Sequence, residues 1–239
     1  MIGYNVDKIN ELMTNIANNY KELGQKMSEG WSGISSTMES EWIGPDEVSY
    51  ETALADNICK LYLSCKDTAQ GMVNNVRELG RSWKQFQEQN IMEGAVSDKL
   101  SFEPDNVNLE NYDFDIAGTV KPGSPNFTTG MNMGLKQQNS GQVIDNKITE
   151  YVDAVYTNVK SMYETLDSSQ AFLGSEQNSK INDYLHNMGA AIARLTTCHK
   201  DIKERLIELT NKYNEAQSTV GQQVSGISTD INYQGQNLK

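Results

Sequence analysis

Residues 40–54 read SEWIGPDEVSYETAL and place a Trp, a Gly and a Pro between two long segments of helix-forming sequence. Glycine adopts the positive φ that ends many helices, so Gly44 suits the end of the first segment. Pro45 suits the first position of a new helix, where its missing N–H would have had no partner. The stretch therefore predicts the bend of a helical hairpin, with the ring of Trp42 wedged between the two arms.

Apolar residues step by three or four positions on both sides of this bend, which is the spacing of one helix face. Before the bend the stripe is Val6, Ile9, Met13, Ile16, Tyr20, Leu23, Met27, Trp31, Ile34 and Met38. After the bend it is Ile58, Leu61, Cys65, Met72, Val76, Leu79, Trp83 and Phe86. Residues 1–90 are therefore predicted to form one hairpin, whose stripes pack as core rather than open as a peptide-binding groove. The acids of residues 46–51 are expected to form a solvated face and to complement the second helix dipole.

The composition changes over residues 91–142, which are rich in Gly, Pro and Asn and lack helical periodicity. We predict a long, mostly irregular connector here, with one short strand at residues 112–116, where YDFDI alternates apolar and polar side chains. If two hairpins pack head to tail, the connector has to join opposite ends of the assembly. A helix of about 40 residues is about 60 Å long, so a short loop would not reach.

Helical stepping resumes over residues 143–220 and predicts a second hairpin. Its first helix carries Ile148, Tyr151, Val155, Val159, Met162 and Leu166. Its second helix carries Ile181, Leu185, Met188, Ile192, Leu195, His199, Ile202, Leu206, Leu209 and Tyr213. Residues 221–239 form a tail rich in Gln, Gly, Ser and Asn, which is either frayed or folds on a partner.

The two predicted hairpins align with each other as a tandem repeat. Placing Gly174 over Gly44 sets AFLGSEQ over EWIGPDE, so that Phe172 takes the wedge position. The aligned apolar pairs are Ile58 with Met188, Cys65 with Leu195, Met72 with Ile202, Val76 with Leu206, Leu79 with Leu209 and Trp83 with Tyr213. The predicted architecture is all-α: two long antiparallel helical hairpins that form an elongated four-helix bundle. The hairpins pack either within one chain or, in a swapped dimer, between chains.

The charge balance of the chain restricts its partners. Among 239 residues, 20 are Lys or Arg and 32 are Asp or Glu, a net charge of -12. Such a surface repels phosphate backbones and anionic membranes, so nucleic acid is not an expected partner. No apolar stretch is long enough to span a bilayer, and the first residues lack the regions of a secretory signal. Cys59, Cys65 and Cys198 have no CxxC spacing, so we expect reduced structural thiols rather than a disulfide framework or zinc site.

The sequence lacks the spacings of the common catalytic motifs, namely the P-loop, GxGxxG, HExxH, GxSxG and the EF-hand. We therefore predict that the protein is not an enzyme, and we assign no catalytic, cofactor-binding or metal-binding residue. His199 lies in the apolar stripe between Leu195 and Ile202. It is either a pH-sensitive point whose protonation loosens the bundle below about pH 6, or, more simply, a His that snorkels to the surface or bonds a neighbouring side chain.

The Trp42-Ile43-Gly44 motif between two long amphipathic helices resembles the WXG family, the early-secreted-antigen-like helical hairpins of type VII secretion. The likeness covers residues 6–89 and, more weakly, residues 144–216, where the motif is Phe172-Leu173-Gly174. Members of this family are usually single hairpins that pair into four-helix dimers, so this chain would carry its own partner. The resemblance implies a non-enzymatic bacterial secretion substrate or carrier that acts through helix packing. Such a protein is cytoplasmic before export and is secreted without a cleaved signal peptide.

Other features qualify this resemblance and leave alternatives open. Trp31-Ser32-Gly33 also matches the motif, but it lies inside the first helical stripe and is expected to be core. The YxxxD/E secretion signal expected after the second helix is absent there, whereas Tyr163 and Asp167 have its spacing but precede the second bend. A structural protein of a phage virion or injection particle, or a cytosolic helical adaptor or chaperone, would also use long hairpins. In each case the expected partner is a protein or another copy of this chain.

Overall fold

The computed structural model describes residues 3–90, 102–124, 134–136, 139–167 and 171–173, with separate positions at 200, 201, 204, 207, 211, 215, 218 and 219. This part of the chain is mostly helical, which confirms the predicted all-α class. Its elements are β1 (Gly3–Tyr4), α1 (Val6–Glu41), β2 (Trp42–Ile43), α2 (Pro45–Asn90), a 3-10 turn (Leu109–Tyr112), α3 (Ile116–Thr119), β3 (Gly134–Leu135), α4 (Ser140–Asp167) and β4 (Phe172–Leu173). Within the described residues, no helix is long and apolar enough to cross a membrane.

Helix α1 lies between α2 and α4 and contacts both. It begins after Asn5, whose side chain accepts a hydrogen bond from the Lys8 N–H as an N-cap. It ends where Trp42 adopts an extended conformation. The buried apolar residues of α1 are Ile9, Leu12, Met13, Ile16, Ala17, Tyr20, Leu23, Met27, Trp31, Ile34 and Met38. The predicted first helix is therefore confirmed, and so is its stripe from Ile9 to Met38, whereas Val6 is only half-buried.

Helix α2 runs back along α1, as the aromatic contacts between the two segments show. Tyr20 stacks on Tyr62 with ring centroids 4.5 Å apart, and Tyr4 stacks on Trp83 at 5.5 Å. The buried apolar residues of α2 are Leu54, Ala55, Ile58, Leu61, Tyr62, Cys65, Ala69, Met72, Val73, Val76, Leu79 and Trp83. Phe86 was expected to continue this stripe, but it is 44% exposed. That prediction is wrong because α2 has by then run past the start of α1, which no longer covers it.

Helix α4 runs in the opposite direction to α1. Strand β2, after α1, pairs with β3, before α4, and β1, before α1, pairs with β4, after α4. The two helices approach closely at Gly30, where an added Cβ would lie 2.5 Å from a ring carbon of Tyr151. The buried apolar residues of α4 are Ile144, Ile148, Tyr151, Val152, Val155 and Val159. The first helix of the second predicted hairpin is thus confirmed over Ser140–Asp167.

The connector lies along α1 and α2 over its described residues 102–124. Near its start the Asp105 N–H donates to the side chain of Asn10, close to the beginning of α1. Near its end the Gly123 N–H donates to Glu51, close to the bend. The connector therefore joins opposite ends of the helices, as predicted. Its buried apolar residues are Pro104, Leu109, Ile116 and Val120.

The short strand predicted at residues 112–116 is not present. The chain instead forms the 3-10 turn and, from Ile116, the short helix α3. The Asn108 side chain accepts from the Glu110 N–H, and the Asp115 side chain accepts from the Gly118 N–H. These local side-chain bonds compete with an extended backbone and decide the conformation. The prediction failed because an alternating pattern also arises wherever one side of an irregular segment packs on a core.

Several predictions concern residues outside the described part of the chain. They are Gly174, the apolar stripe of the last predicted helix with His199, and the tail at residues 221–239. The separate positions between 200 and 219 are helical and exposed. They are spaced mostly by three or four residues, as on one helix face. None of them belongs to the predicted apolar stripe.

Candidate functional site

The first bend has the backbone geometry that its sequence predicts. Gly44 has a φ of 124°, a value that favours glycine, and Pro45 opens α2. Trp42 is 7% exposed and belongs to the main core. Its indole Nε1 donates to Asp46 Oδ2 at 3.0 Å, and its ring centroid lies 5.8 Å from that of Tyr50. The ring therefore packs between the end of α1 and the first turns of α2.

The same bend pairs with the second half of the chain. Strand β2 is antiparallel to β3, so that Ile43 faces Gly134. The Lys136 N–H donates to the carbonyl oxygen of Glu41 at 2.9 Å, which extends the pairing by one residue. The hydroxyl of Ser140, the first residue of α4, donates to the Glu41 carboxylate at 2.7 Å. The bend therefore holds the start of α4 as well as the start of α2.

The second motif forms the corresponding pairing at the other end of α4. Strand β4 is antiparallel to β1, so that Leu173 faces Gly3. The Asn5 N–H donates to the carbonyl oxygen of Ala171 at 2.9 Å. Phe172 occupies the motif position of Trp42, although its side chain lies outside the described part of the structure.

The two pairings are equivalent. In each, the middle residue of the motif faces a glycine, and the residue after the paired strand donates to the carbonyl oxygen just before the motif. Gly134 follows Gly3 by 131 positions, and Phe172 follows Trp42 by 130. Sequence reasoning missed both strand pairs. The signal that could have found them is a glycine followed by a large apolar residue just ahead of each first helix.

Trp31 belongs to the second literal match to the motif and lies inside α1, where it is 2% exposed. The prediction that it is a core residue is confirmed. Its indole Nε1 donates to the carbonyl oxygen of Lys121 at 2.8 Å. Trp31 therefore fixes the connector on α1 and does not form a bend.

A group of polar side chains fixes the middle of the connector. Tyr20 donates to Asp113 Oδ1 at 3.1 Å, and Lys66 forms an ion pair with the same carboxylate. The Phe114 N–H donates to the hydroxyl of Tyr62 at 3.2 Å. Burial, together with the nearby Tyr62 and Asp113, raises the pKa of Tyr20. Its hydroxyl therefore stays protonated and acts as a donor at neutral pH.

Three glutamates at the first bend are buried. Glu41 is 8% exposed, and Glu47 and Glu51 are 0% exposed. Neither carboxylate oxygen of Glu47 has a hydrogen-bond partner. Burial, followed by the charges of Glu51, Glu39 and Asp46, raises the pKa of Glu47 to about 7. The expectation of a solvated acidic face is wrong at Glu47 and Glu51, because their spacing places them on the side of α2 that faces α1 and the connector.

The cysteines of the described residues are thiols that form no disulfide. Cys59 is half-buried and Cys65 is buried. Burial, with Asp56 and Asp115 nearby, raises the pKa of Cys59 and so disfavours its reactive thiolate. Cys198 lies outside the described part. In the ranges that the structure describes, no group of three or more His, Cys, Asp or Glu is placed to hold a metal ion.

Comparison with known proteins gives no family for this chain. No family model matches it, and no curated protein matches it.

Proposed function

We propose that this chain is a non-enzymatic protein of type VII secretion, either an export substrate or the carrier of one, built as two WXG-like hairpins. The proposal rests on the equivalent pairings made by the Trp42-Ile43-Gly44 bend and by Phe172-Leu173. Each motif pairs with the segment just ahead of the first helix in the other half of the chain. Two copies of one unit that pack about a twofold axis make each contact twice, in the same register. The two pairings have this property.

The same equivalence supports a four-helix bundle. Helix α2 follows the first motif and lies along α1, so the segment after the second motif is expected to lie along α4. The apolar stripe at residues 181–213 supplies a face for that contact. Such a bundle buries, within one chain, the surfaces that a single hairpin would use to dimerise. The protein is then expected to sediment as a single chain, whereas swapped hairpins would sediment as two.

The connector bears on the alternative of a virion or injection-particle subunit. An interlocking subunit would use a long connector to reach a neighbouring copy. Here the described connector is bonded instead to Trp31 and Glu51 of its own chain. These contacts fasten the described connector to helices of its own chain, and a particle role is left as an outcome of the test.

The test is export from the native host. Cells and cell-free medium are compared by immunoblot, with and without the type VII ATPase, and the medium is centrifuged to pellet large particles. We expect soluble protein in the medium that disappears with the ATPase. Protein that pellets regardless of the ATPase would make the chain a particle component. Protein retained in cells of both strains would favour the cytosolic adaptor.

A pair of variants tests whether export depends on the first bend. Trp42→Phe keeps an aromatic ring in the core but removes the donor to Asp46. Leu63→Ala alters a side chain on α2 that is 54% exposed. We expect reduced export of the first variant and unchanged export of the second. Equal loss from both would indicate that export responds to any change in the first hairpin and does not depend on the bend itself.

A further inference from the structure

The buried acids of the first bend lie where α2, the connector and α4 meet. Glu47 is 0% exposed, and neither of its oxygens accepts a hydrogen bond. Glu51, one turn later, is also 0% exposed; it accepts from the Gly123 N–H at 2.6 Å through one oxygen, while the other has no partner. Glu41, at the end of α1, accepts from Ser140 of α4. Glu51 therefore holds the connector and Glu41 holds the start of α4, whereas Glu47 lies one turn before Glu51 and holds neither segment.

An ionised carboxylate is unfavourable in this position. A buried charge without a partner takes up a proton instead, because its neutral form loses less on leaving water. The charged groups that act on Glu47 strengthen this preference, since they are Glu51 and Asp46 from α2 and Glu39 from α1. All three repel a negative charge on Glu47.

The groups that the remaining elements place at this end are neutral or exposed. The connector presents the backbone N–H of Gly123, and its Lys121 side chain is exposed. Strand β3 is followed by Lys136, which is exposed as well. Helix α4 presents the hydroxyl of Ser140, which donates to Glu41. A proton on Glu47 is therefore the direct way to relieve repulsion among these acids.

We propose that the first bend is a proton-dependent latch, in which Glu51 holds the connector at Gly123 while Glu47 is protonated and this hold weakens when Glu47 ionises. The direction of the pH dependence follows from the pKa of Glu47, which burial and the neighbouring acids raise from 4.5 to about 7. A carboxyl whose pKa is raised in the closed state favours that state fully below about pH 4.5. This contribution is lost as the pH rises to about 7. The latch is thus tighter in acidic than in neutral solution.

Hydrogen exchange of the full chain, followed by mass spectrometry from about pH 5 to about pH 7.5, tests the latch. Exchange rates are corrected for the intrinsic effect of pH. We expect protection at residues 120–124 to fall by at least about tenfold over this range. Protection at residues 105–114, which other contacts fasten, should change much less. Equal protection of residues 120–124 at both ends of the range would overturn the proposal.

Glu47→Gln is the decisive variant, because it keeps the size of the side chain but cannot ionise. Its protection at residues 120–124 should not depend on pH over this range, and at about pH 7.5 it should exceed that of the natural chain. Glu22→Gln changes an exposed acid of α1 and should behave like the natural chain. A Glu47→Gln variant that loses protection with pH as the natural chain does would overturn the latch.

A second variant covers the case in which Glu47→Gln fails to fold. Glu51→Gln keeps an acceptor for the Gly123 N–H but removes one negative charge beside Glu47. The midpoint of the loss in protection should then move to lower pH. An unchanged midpoint would show that Glu47 is not the titrating group, and would overturn the proposal.

Discussion

The connector is fastened to α1 and α2 at its middle and again at the first bend, and the two places differ in how their polar groups are satisfied. In the middle, the Asp113 carboxylate has both Tyr20 and Lys66 as partners. At the bend, both oxygens of Glu47 and one oxygen of Glu51 are buried without a partner. A satisfied buried polar group stabilises a fold, whereas an unsatisfied one costs free energy. The connector is therefore held by satisfied polar groups at its middle, whereas at the bend it is held beside buried acids that lack partners.

The largest effect is expected at the bend, where apolar burial has to outweigh these unsatisfied acids. Trp42→Ala removes a buried ring together with the donor to Asp46. A change of this kind lowers the free energy of unfolding by about 3–5 kcal/mol. Circular dichroism should show that helix content is retained, while the melting temperature falls by about 2–4 °C for each kcal/mol.

Leu63→Ala is the control for this experiment, because Leu63 is a large apolar side chain of α2 that is 54% exposed. It should change the free energy of unfolding by less than about 0.5 kcal/mol. If Trp42→Ala melted at the temperature of the natural chain, the ring would not wedge the bend. The stability of the first bend would then not depend on apolar burial.

Gly24 lies against the middle of the connector, so a larger residue at this position should disrupt the packing there. A Cβ added there would lie 2.7 Å from Phe114 Cβ and 2.8 Å from the Tyr62 ring, so the connector and α2 would both have to move. We expect Gly24→Ala to lower the free energy of unfolding by about 1–3 kcal/mol in chemical denaturation. Gly71→Ala is the matched control, since nothing lies within 4 Å of its added Cβ. Alanine should stabilise that helix by about 0.5–1 kcal/mol, and equal stabilisation by both variants would contradict the packing at Gly24.

The parts of this fold that follow from local chemistry could be predicted from the sequence. The stripe along Val6–Glu41 has the helical period over its whole length. Gly44 supplies the positive φ of the bend, and the adjacent Pro45 begins the next helix. The span of the connector followed from helix length, because antiparallel helices leave their ends far apart. These inferences needed no knowledge of distant contacts.

The parts that depend on distant contacts could not be predicted in the same way. Two-residue strands are too short to show a periodicity in the sequence. Trp42 and Leu135, which pair with each other, are also far apart in the sequence. Glu47 and Glu51 were expected in solvent because acids seldom lie fully buried. Their spacing from Leu54 and Ile58 continues the apolar stripe of α2, and that spacing was the available signal.

The smallest expected effect tests whether the middle of the connector is independent of the bend. Tyr20→Phe keeps the stack on Tyr62 and removes one donor to Asp113. Because Lys66 still pairs with that carboxylate, the loss should be about 0.5–1.5 kcal/mol of unfolding free energy. Urea denaturation at about pH 5 and about pH 7.5 should give the same loss, since neither Tyr20 nor Lys66 changes charge between these values. A loss that differed between them would mean that the middle responds to protons as the bend does, and the two attachments would then act as one titrating unit.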